Sequence, residues 1–417
     1  MSSLSEPGRA RTVGATGPVL TVDGLHITVS GGRAEAVRDV SFTVHAGEAV
    51  GVVGESGSGK TLTCRSLLGV LPPGCQVSAG SAVLAGADPD GTEAVGTATA
   101  GASDAGASAA GGSAAGASAA GKASPASSWP TSRSFGKASA AKSSARKSSG
   151  AASSAGTDLT ALDKRQWERL RGVELGAVFQ DPASYLNPAL TVGRQLAEPL
   201  RVRLGLKRAR AHERAVELFA SVGLRDPADV YHRYPHELSG GMLQRVLIAI
   251  AVACDPRLLV ADEATTALDT VVQAEVLDLL AQLRDERGLA LLLVTHDLAV
   301  VAEVTDRVLV FYAGEIVEDG PTQDVVHRPA HPYTAALLRV ASLGDWNRRE
   351  LAVIPGRPPE AGEAPVGCRF ADRCAFAEDR CRTRPVPLTA TADGRRVRCV
   401  RAAELALSPP PLQEVPA

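Results

Sequence analysis

Along the chain the spacing of apolar positions switches between the two-residue period of strands and the longer period of helices. Residues 19–29 and 37–44 are rich in β-branched side chains and are separated by Gly31 and Gly32, which predicts two strands with a glycine break between them. A wholly apolar run at 49–53 predicts a short strand leading straight into a glycine-rich loop. A helix is expected from Lys60 to about Leu71, where Pro72, Pro73 and Gly74 stop it. From Leu159 to Arg171 the pattern is that of an amphipathic helix, followed by a strand at 175–179. Residues 191–253 read as mostly helical. Strands are expected at 258–261 and 291–294, buried in a parallel sheet and separated by a helix over 271–286. Strands alternating with helices in this way predict an α/β fold with helices on both faces of the sheet.

Composition divides the chain further. Residues 88–157 are dominated by Ala, Ser and Gly, with almost nothing to bury, and are expected to be a disordered insertion within one domain. Its acidic residues (Asp88, Asp90, Glu93, Asp104) precede its basic ones (Lys122 to Lys147), and a solvated linker is the expectation over a lipid or RNA contact. After Asp319, Gly320 and Pro321 the character changes. Residues 322–403, carrying Pro, Arg and Cys, are expected as a separate small domain; 1–19 and 404–417 are expected as tails.

A formal net charge of −2 over 417 residues gives no global pull toward nucleic acid or anionic lipid. No run approaches the roughly 20 apolar residues of a membrane span, and residues 1–14 lack the apolar stretch of a secretory signal. The expected location is therefore the cytoplasm. There, seven cysteines are not expected to form disulfides.

Three motifs carry chemistry. Gly54, Glu55, Ser56, Gly57, Ser58, Gly59, Lys60 and Thr61 fit G-x-x-x-x-G-K-[ST], with a strand before and a helix after, as the phosphate-binding loop requires. The glycines let successive N–H groups face one anion, and the helix N-terminus adds its positive end. Lys60 can reach the β- and γ-phosphates, and the Thr61 hydroxyl can ligate Mg²⁺. An apolar strand ends in Asp262 and Glu263: the first is placed to hold Mg²⁺ and the second to polarise an attacking water. Ser239, Gly240 and Gly241 open a further helix and form a second anion-binding start. One nucleotide does not need two such sites, so this one is expected to complete the site of a partner subunit.

With Gln180, residues 238–242, 258–263, Ala267-Leu268-Asp269 and His296 in this order, the chain resembles the nucleotide-binding domains of ABC transporters from about Val19 to Pro321, apart from the insertion. Phe179-Gln180-Asp181-Pro182, Leu186-Asn187-Pro188, Met242 in place of the commoner Gln, and His331-Pro332-Tyr333-Thr334 resemble more narrowly the dipeptide/oligopeptide/nickel importers. The resemblance implies a P-loop NTPase fold with a helical subdomain and a small C-terminal domain. It implies ATP and Mg²⁺ as ligands, with Gln180 sensing the γ-phosphate and Mg²⁺ beside the membrane-subunit contact. It also implies that His296 contacts the γ-phosphate and that Asp269 lies in a loop crossing a dimer interface. The partners implied are a second ATPase subunit (self or paralogue) placed head to tail, two transmembrane permeases and, indirectly, an extracytoplasmic solute-binding protein. No nucleic-acid partner is expected. The implied place is the cytoplasmic face of the membrane, and the implied cargo is di- or oligopeptides, with nickel or another small solute as the alternative. A soluble non-transport ABC ATPase is the rival from another class, but such proteins usually carry twin cassettes or a long coiled coil, and this chain has neither. One departure stands out: 25–37 contains no Phe, Tyr or Trp to stack on adenine.

Cys368, Cys374, Cys381 and Cys399 cluster near the C-terminus, whereas Cys64, Cys75 and Cys254 are scattered. Four thiolates suffice for one metal site. No C-x-x-C pair is present, which favours a 4Fe–4S cluster over zinc. The expected role is structural, at a distance from the phosphate loop, so that loosening this region should spare ATP binding.

Overall fold

The computed structural model describes residues 17–87, 156–264, 269–342 and 354–407. Twelve strands lie among these: β1 (Pro18–Val29), β2 (Ala34–His45), β3 (Ala49–Val53), β4 (Gln76–Ala85), β5 (Gly156–Asp158), β6 (Leu175–Phe179), β7 (Leu258–Asp262), β8 (Ala290–Val294), β9 (Arg307–Tyr312), β10 (Glu315–Pro321), β11 (Thr389–Ala390) and β12 (Arg396–Val397). They form a four-stranded sheet in the order β2-β1-β4-β5 and an eight-stranded sheet in the order β11-β12-β10-β9-β3-β8-β7-β6. In the larger sheet, β9, β3, β8, β7 and β6 run parallel, and β10 turns back antiparallel on β9.

The parallel strands are apolar on both faces because both faces are covered. In β8, Ala290, Leu292 and Val294 join a core shared with the small sheet, while Leu291 and Leu293 join the core of the helical layer. In β7, Leu258 and Val260 face the first core, and Leu259 and Ala261 the second. The two-residue period of a strand thus divides one sheet between two cores. The helical layer holds Val192–Val202, Arg208–Ser221, Gly240–Ala251 and Thr270–Arg287.

Three expectations change. The helix foreseen over 159–171 is split into a 3-10 turn (Leu159–Ala161) and a helix (Lys164–Leu170). Asp163 and Gln166 form a reciprocal capping box that starts the chain afresh at Lys164. The expected insertion, 88–157, lies outside the described residues except at its end, where Gly156 and Thr157 belong to β5 and pair with β4. The C-terminal region, expected to stand apart, is built onto the cassette. There β12 pairs with β10, and Phe370 and Ile354 share a core with Val308, Val310 and Tyr312. Asp319, buried in β10, receives hydrogen bonds from Arg307 (2.6 and 2.8 Å) and from Arg396 Nε (2.8 Å). Arg398 N donates to Val317 O at 2.8 Å and Arg398 Nε to Ile316 O at 3.0 Å. The described residues form one compact unit.

Among the described residues no helix is long and apolar enough to cross a membrane.

Candidate nucleotide site

At the carboxyl ends of β3, β7 and β8 the larger sheet carries the loop 54–59, then Glu263, then Thr295 and His296; ligands of α/β sheets gather at such strand ends. The loop needs its glycines for concrete reasons. Gly54 has φ +149°, and a Cβ there would sit 2.1 Å from Phe311 O. Gly59, at φ +97°, caps the helix Lys60–Leu67.

Lys60 is buried, and its ammonium donates to Gly54 O (2.6 Å), Glu55 O (3.0 Å) and Ser58 Oγ (3.4 Å). Burial pulls its pKa down, against the opposing fields of Glu263 and Asp262. Thr61 Oγ1 donates to Asp262 Oδ1 at 3.3 Å. Burial raises the Asp262 pKa, and the Thr61 hydrogen bond counters it. Glu263 adopts φ +50°, the left-handed region that strains a non-glycine residue, and its N–H donates to Val294 O at 2.9 Å. That turn brings its carboxylate to 4.0 Å from His296 Nδ1. Five expected residues, Lys60, Thr61, Asp262, Glu263 and His296, therefore converge on one strand-end face.

Gln180 is exposed just past the end of β6, where Phe179 pairs with Asp262 of β7, and the Phe179 ring stacks on Tyr185 at 4.7 Å. The other expected residues are placed elsewhere. Ser239 caps the helix Gly240–Ala251, its Oγ accepting Met242 N–H at 3.4 Å. Ser239 and Gly240 are exposed, while a Cβ on Gly241 would come 2.8 Å from Val272 Cγ1. Asp269 caps the helix Thr270–Arg287 through Val272 N–H at 2.9 Å. Ala267 and Leu268 lie outside the described residues.

Cys368, Cys374, Cys381 and Cys399 all line one cavity, with His331 and Phe370. Backbone amides of Glu378 and Arg401 donate to Cys381 Sγ (3.5 Å) and Cys399 Sγ (3.4 Å). Burial pushes the Cys368 thiol up to about 12 and also raises Cys374 and Cys399. Four sulfurs around one cavity, with amides aimed at two of them, are a donor set of the right chemistry for a cluster. Among the described residues, however, no three His, Cys, Asp or Glu side chains are drawn into a metal-ligand arrangement.

Sequence reasoning missed two groups at the loop. Tyr333 Oη accepts the Glu55 N–H at 2.9 Å, and Arg373 clasps the Glu55 carboxylate at 2.7 and 3.0 Å. The cysteine region is not distant from the phosphate loop, because Arg373 directly precedes Cys374. No local signal could join residues 278 and 318 positions apart.

The profile described as "ABC transporter" matches residues 37–101 and 135–266, and that described as "Oligopeptide/dipeptide transporter, C-terminal region" matches 317–381. A putative peptide import ATP-binding protein of Brucella abortus (strain 2308) is 39% identical over 399 residues, covering 93% of this chain and 98% of its own. One of Brucella melitensis biotype 1 is 38% identical over 386 residues, covering 92% and 95%. Among solved structures, the dimeric bacterial ABC transporter cassette MJ0796 aligns at TM-score 0.50 and 21% identity, covering 73% of this chain and 98% of that one. Clostridium perfringens CbiO1, part of the ABC transporter complex CbiONQ, aligns at 0.51 and 20%, covering 74% and 90%. These last two share the fold. With the loop, the strand-end carboxylates and the matched C-terminal region in place, the chain belongs to the ABC-transporter ATP-binding proteins of the oligopeptide/dipeptide import family.

Proposed function

We propose that this chain is the ATP-hydrolysing subunit of an importer of di- or oligopeptides, working at the cytoplasmic face of the membrane. The observation that carries the reading is the convergence of Lys60, Thr61, Asp262, Glu263 and His296, while Ser239 and Gly240 remain exposed at another helix start. Amides of 54–61 and Lys60 hold the phosphates. Mg²⁺, which neutralises charge developing on the phosphates, would be held by Thr61 and Asp262, with Gln180 beside them. Glu263 orients and polarises the attacking water, and His296 steadies the γ-phosphate. The Ser239–Gly240–Gly241 start of one cassette covers the nucleotide of a second, head to tail, with Asp269 at the interface between them. Binding closes the pair and hydrolysis reopens it.

A groove of about 390 Å³ beside Gln180, lined by Phe179, Tyr185, Leu247 and Ile250 and by the polar Asn187, Gln195 and Glu198 among others, suits a permease segment of mixed polar and apolar character. Two such permeases carry the solute that an extracytoplasmic binding protein delivers. In the C-terminal region, Cys368, Cys374, Cys381 and Cys399 would hold one 4Fe–4S cluster, or one zinc, as a structural staple. Iron, sulfide and zinc measured on protein purified without oxygen decide that point: none of the three in active protein means ordinary thiols.

Reconstituted with two permeases of a peptide importer, the protein should hydrolyse ATP and accumulate peptides inside vesicles. Accumulation of nickel alone would replace the peptide reading. Hydrolysis with no permease association would favour a non-transport ATPase.

A further inference from the structure

Glu55 is held at three points. Its N–H donates to Tyr333 Oη at 2.9 Å, its carbonyl accepts Lys60 Nζ at 3.0 Å, and its carboxylate takes the Arg373 fork at 2.7 and 3.0 Å. Arg373 has five N–H donors, and all five are engaged. Beyond Glu55 they reach Pro355 O (2.8 Å), Ile354 O (3.1 Å) and Tyr312 Oη (3.2 Å). The guanidinium also lies over the Tyr312 and Phe370 rings, 5.7 and 5.9 Å from their centroids. Tyr312, Tyr333 and Phe370 pack on one another at 4.6–5.4 Å and are fully or almost fully buried. The side chain of Arg373 is 5% exposed and that of Glu55 27%, so this is a shielded bidentate pair rather than a surface contact.

Nothing in the nucleotide chemistry calls for this pair, since Glu55 points its carboxylate away from the loop and into the C-terminal region. Its effect falls on the backbone between Gly54 and Ser58, whose amides must align on phosphate.

We propose that Arg373 is a positioning residue for the phosphate-binding loop: by clasping Glu55, with Tyr333 fixing the adjacent amide, the C-terminal region pre-forms the loop and so sets nucleotide affinity. The inference rests on the reading of 54–61 as the phosphate cradle. Preorganisation lowers the ordering cost of binding, so loss of the clasp weakens ATP while sparing the chemical step. Lys in place of Arg keeps one charge but not the fork, and Ala keeps neither.

The test uses the full chain with Mg²⁺ and ATP. Arg373→Ala should raise the ATP Kd and KM on the order of tenfold, about 1.4 kcal/mol, with kcat within threefold of the parent. Arg373→Lys should fall between. Without nucleotide, amide hydrogen exchange across 54–58 should quicken in Arg373→Ala while β7 stays protected. Glu55→Gln removes the same pair from the loop side, so it keeps the question open to measurement if Arg373→Ala fails to fold. Arg373→Ala added to Glu55→Gln should cost nothing more. Unchanged Kd and loop exchange in folded Arg373→Ala would overturn the proposal, as would full additivity of the two changes. If the parent chain binds no ATP, the cradle reading falls, and the exchange measurement alone then decides whether Arg373 orders the loop.

Discussion

Two glycine-containing helix starts can be compared directly. At Lys60–Leu67 the start is locked by its own chain: the lysine is buried in loop carbonyls, the threonine is bonded to Asp262, and Glu55 is tied to Tyr333 and Arg373. At Gly240–Ala251 the start is held by bonds within its own first turn, Met242 N–H to Ser239 Oγ and Leu243 N–H to Ser239 O, and Ser239 and Gly240 are open to solvent. Both starts could offer backbone N–H groups to an anion, yet among the described residues only the first has Lys60, the Thr61–Asp262 pair and Glu263 gathered around it. That is the difference the proposed head-to-tail pairing needs: the residues for most of one site gathered at the first start, and a second start left open to a partner.

Substitutions should separate the two starts. Lys60→Ala removes a buried cation from the first and should weaken ATP on the order of a hundredfold or more, read by titration with labelled nucleotide. Gly241→Val strikes the second, since even a Cβ meets Val272. Hydrolysis should fall at least about tenfold while the ATP Kd of the isolated chain stays within about threefold. Equal loss of binding in both variants would erase the contrast. At the small end, removing 88–155, and leaving Gly156–Asp158 to pair with β4, should change neither melting temperature nor ATPase rate appreciably, because loop closure depends only weakly on length. Extending that deletion through Asp158 should lower the melting temperature by several degrees, since it strips an edge strand and the Asp158 carboxylate that accepts from Ala82 N–H and from Thr160.

Much of this site was legible because its signals are local. Residues 54–61 follow an apolar strand and open a helix, and Asp262 and Glu263 end another strand, so order along the chain nearly fixed their place in space. The break at Asp163 was legible too, through Asp163 and Gln166 three positions apart, but the apolar period masked it. Other features had no such signal. The two-residue strand Arg396–Val397 is too short to show a period, and it becomes a strand only because β10 offers an edge. The pairing of Glu55 with Arg373 joins the first strand–loop–helix unit to a 3-10 turn near the far end of the chain. The Pro-, Arg- and Cys-rich composition suggested a region apart. In fact its arginines bind it to β10 through Asp319 and to the phosphate loop through Glu55.

The central claim is that Glu263, held in its strained turn beside His296, activates water on ATP bound at Lys60. Phosphate release and ATP retention measured side by side on Glu263→Gln test it most directly. Gln keeps the shape but cannot polarise water, so the account predicts ATP affinity within about threefold of the parent and turnover reduced at least about a hundredfold. Turnover above about a tenth of the parent rate would contradict it.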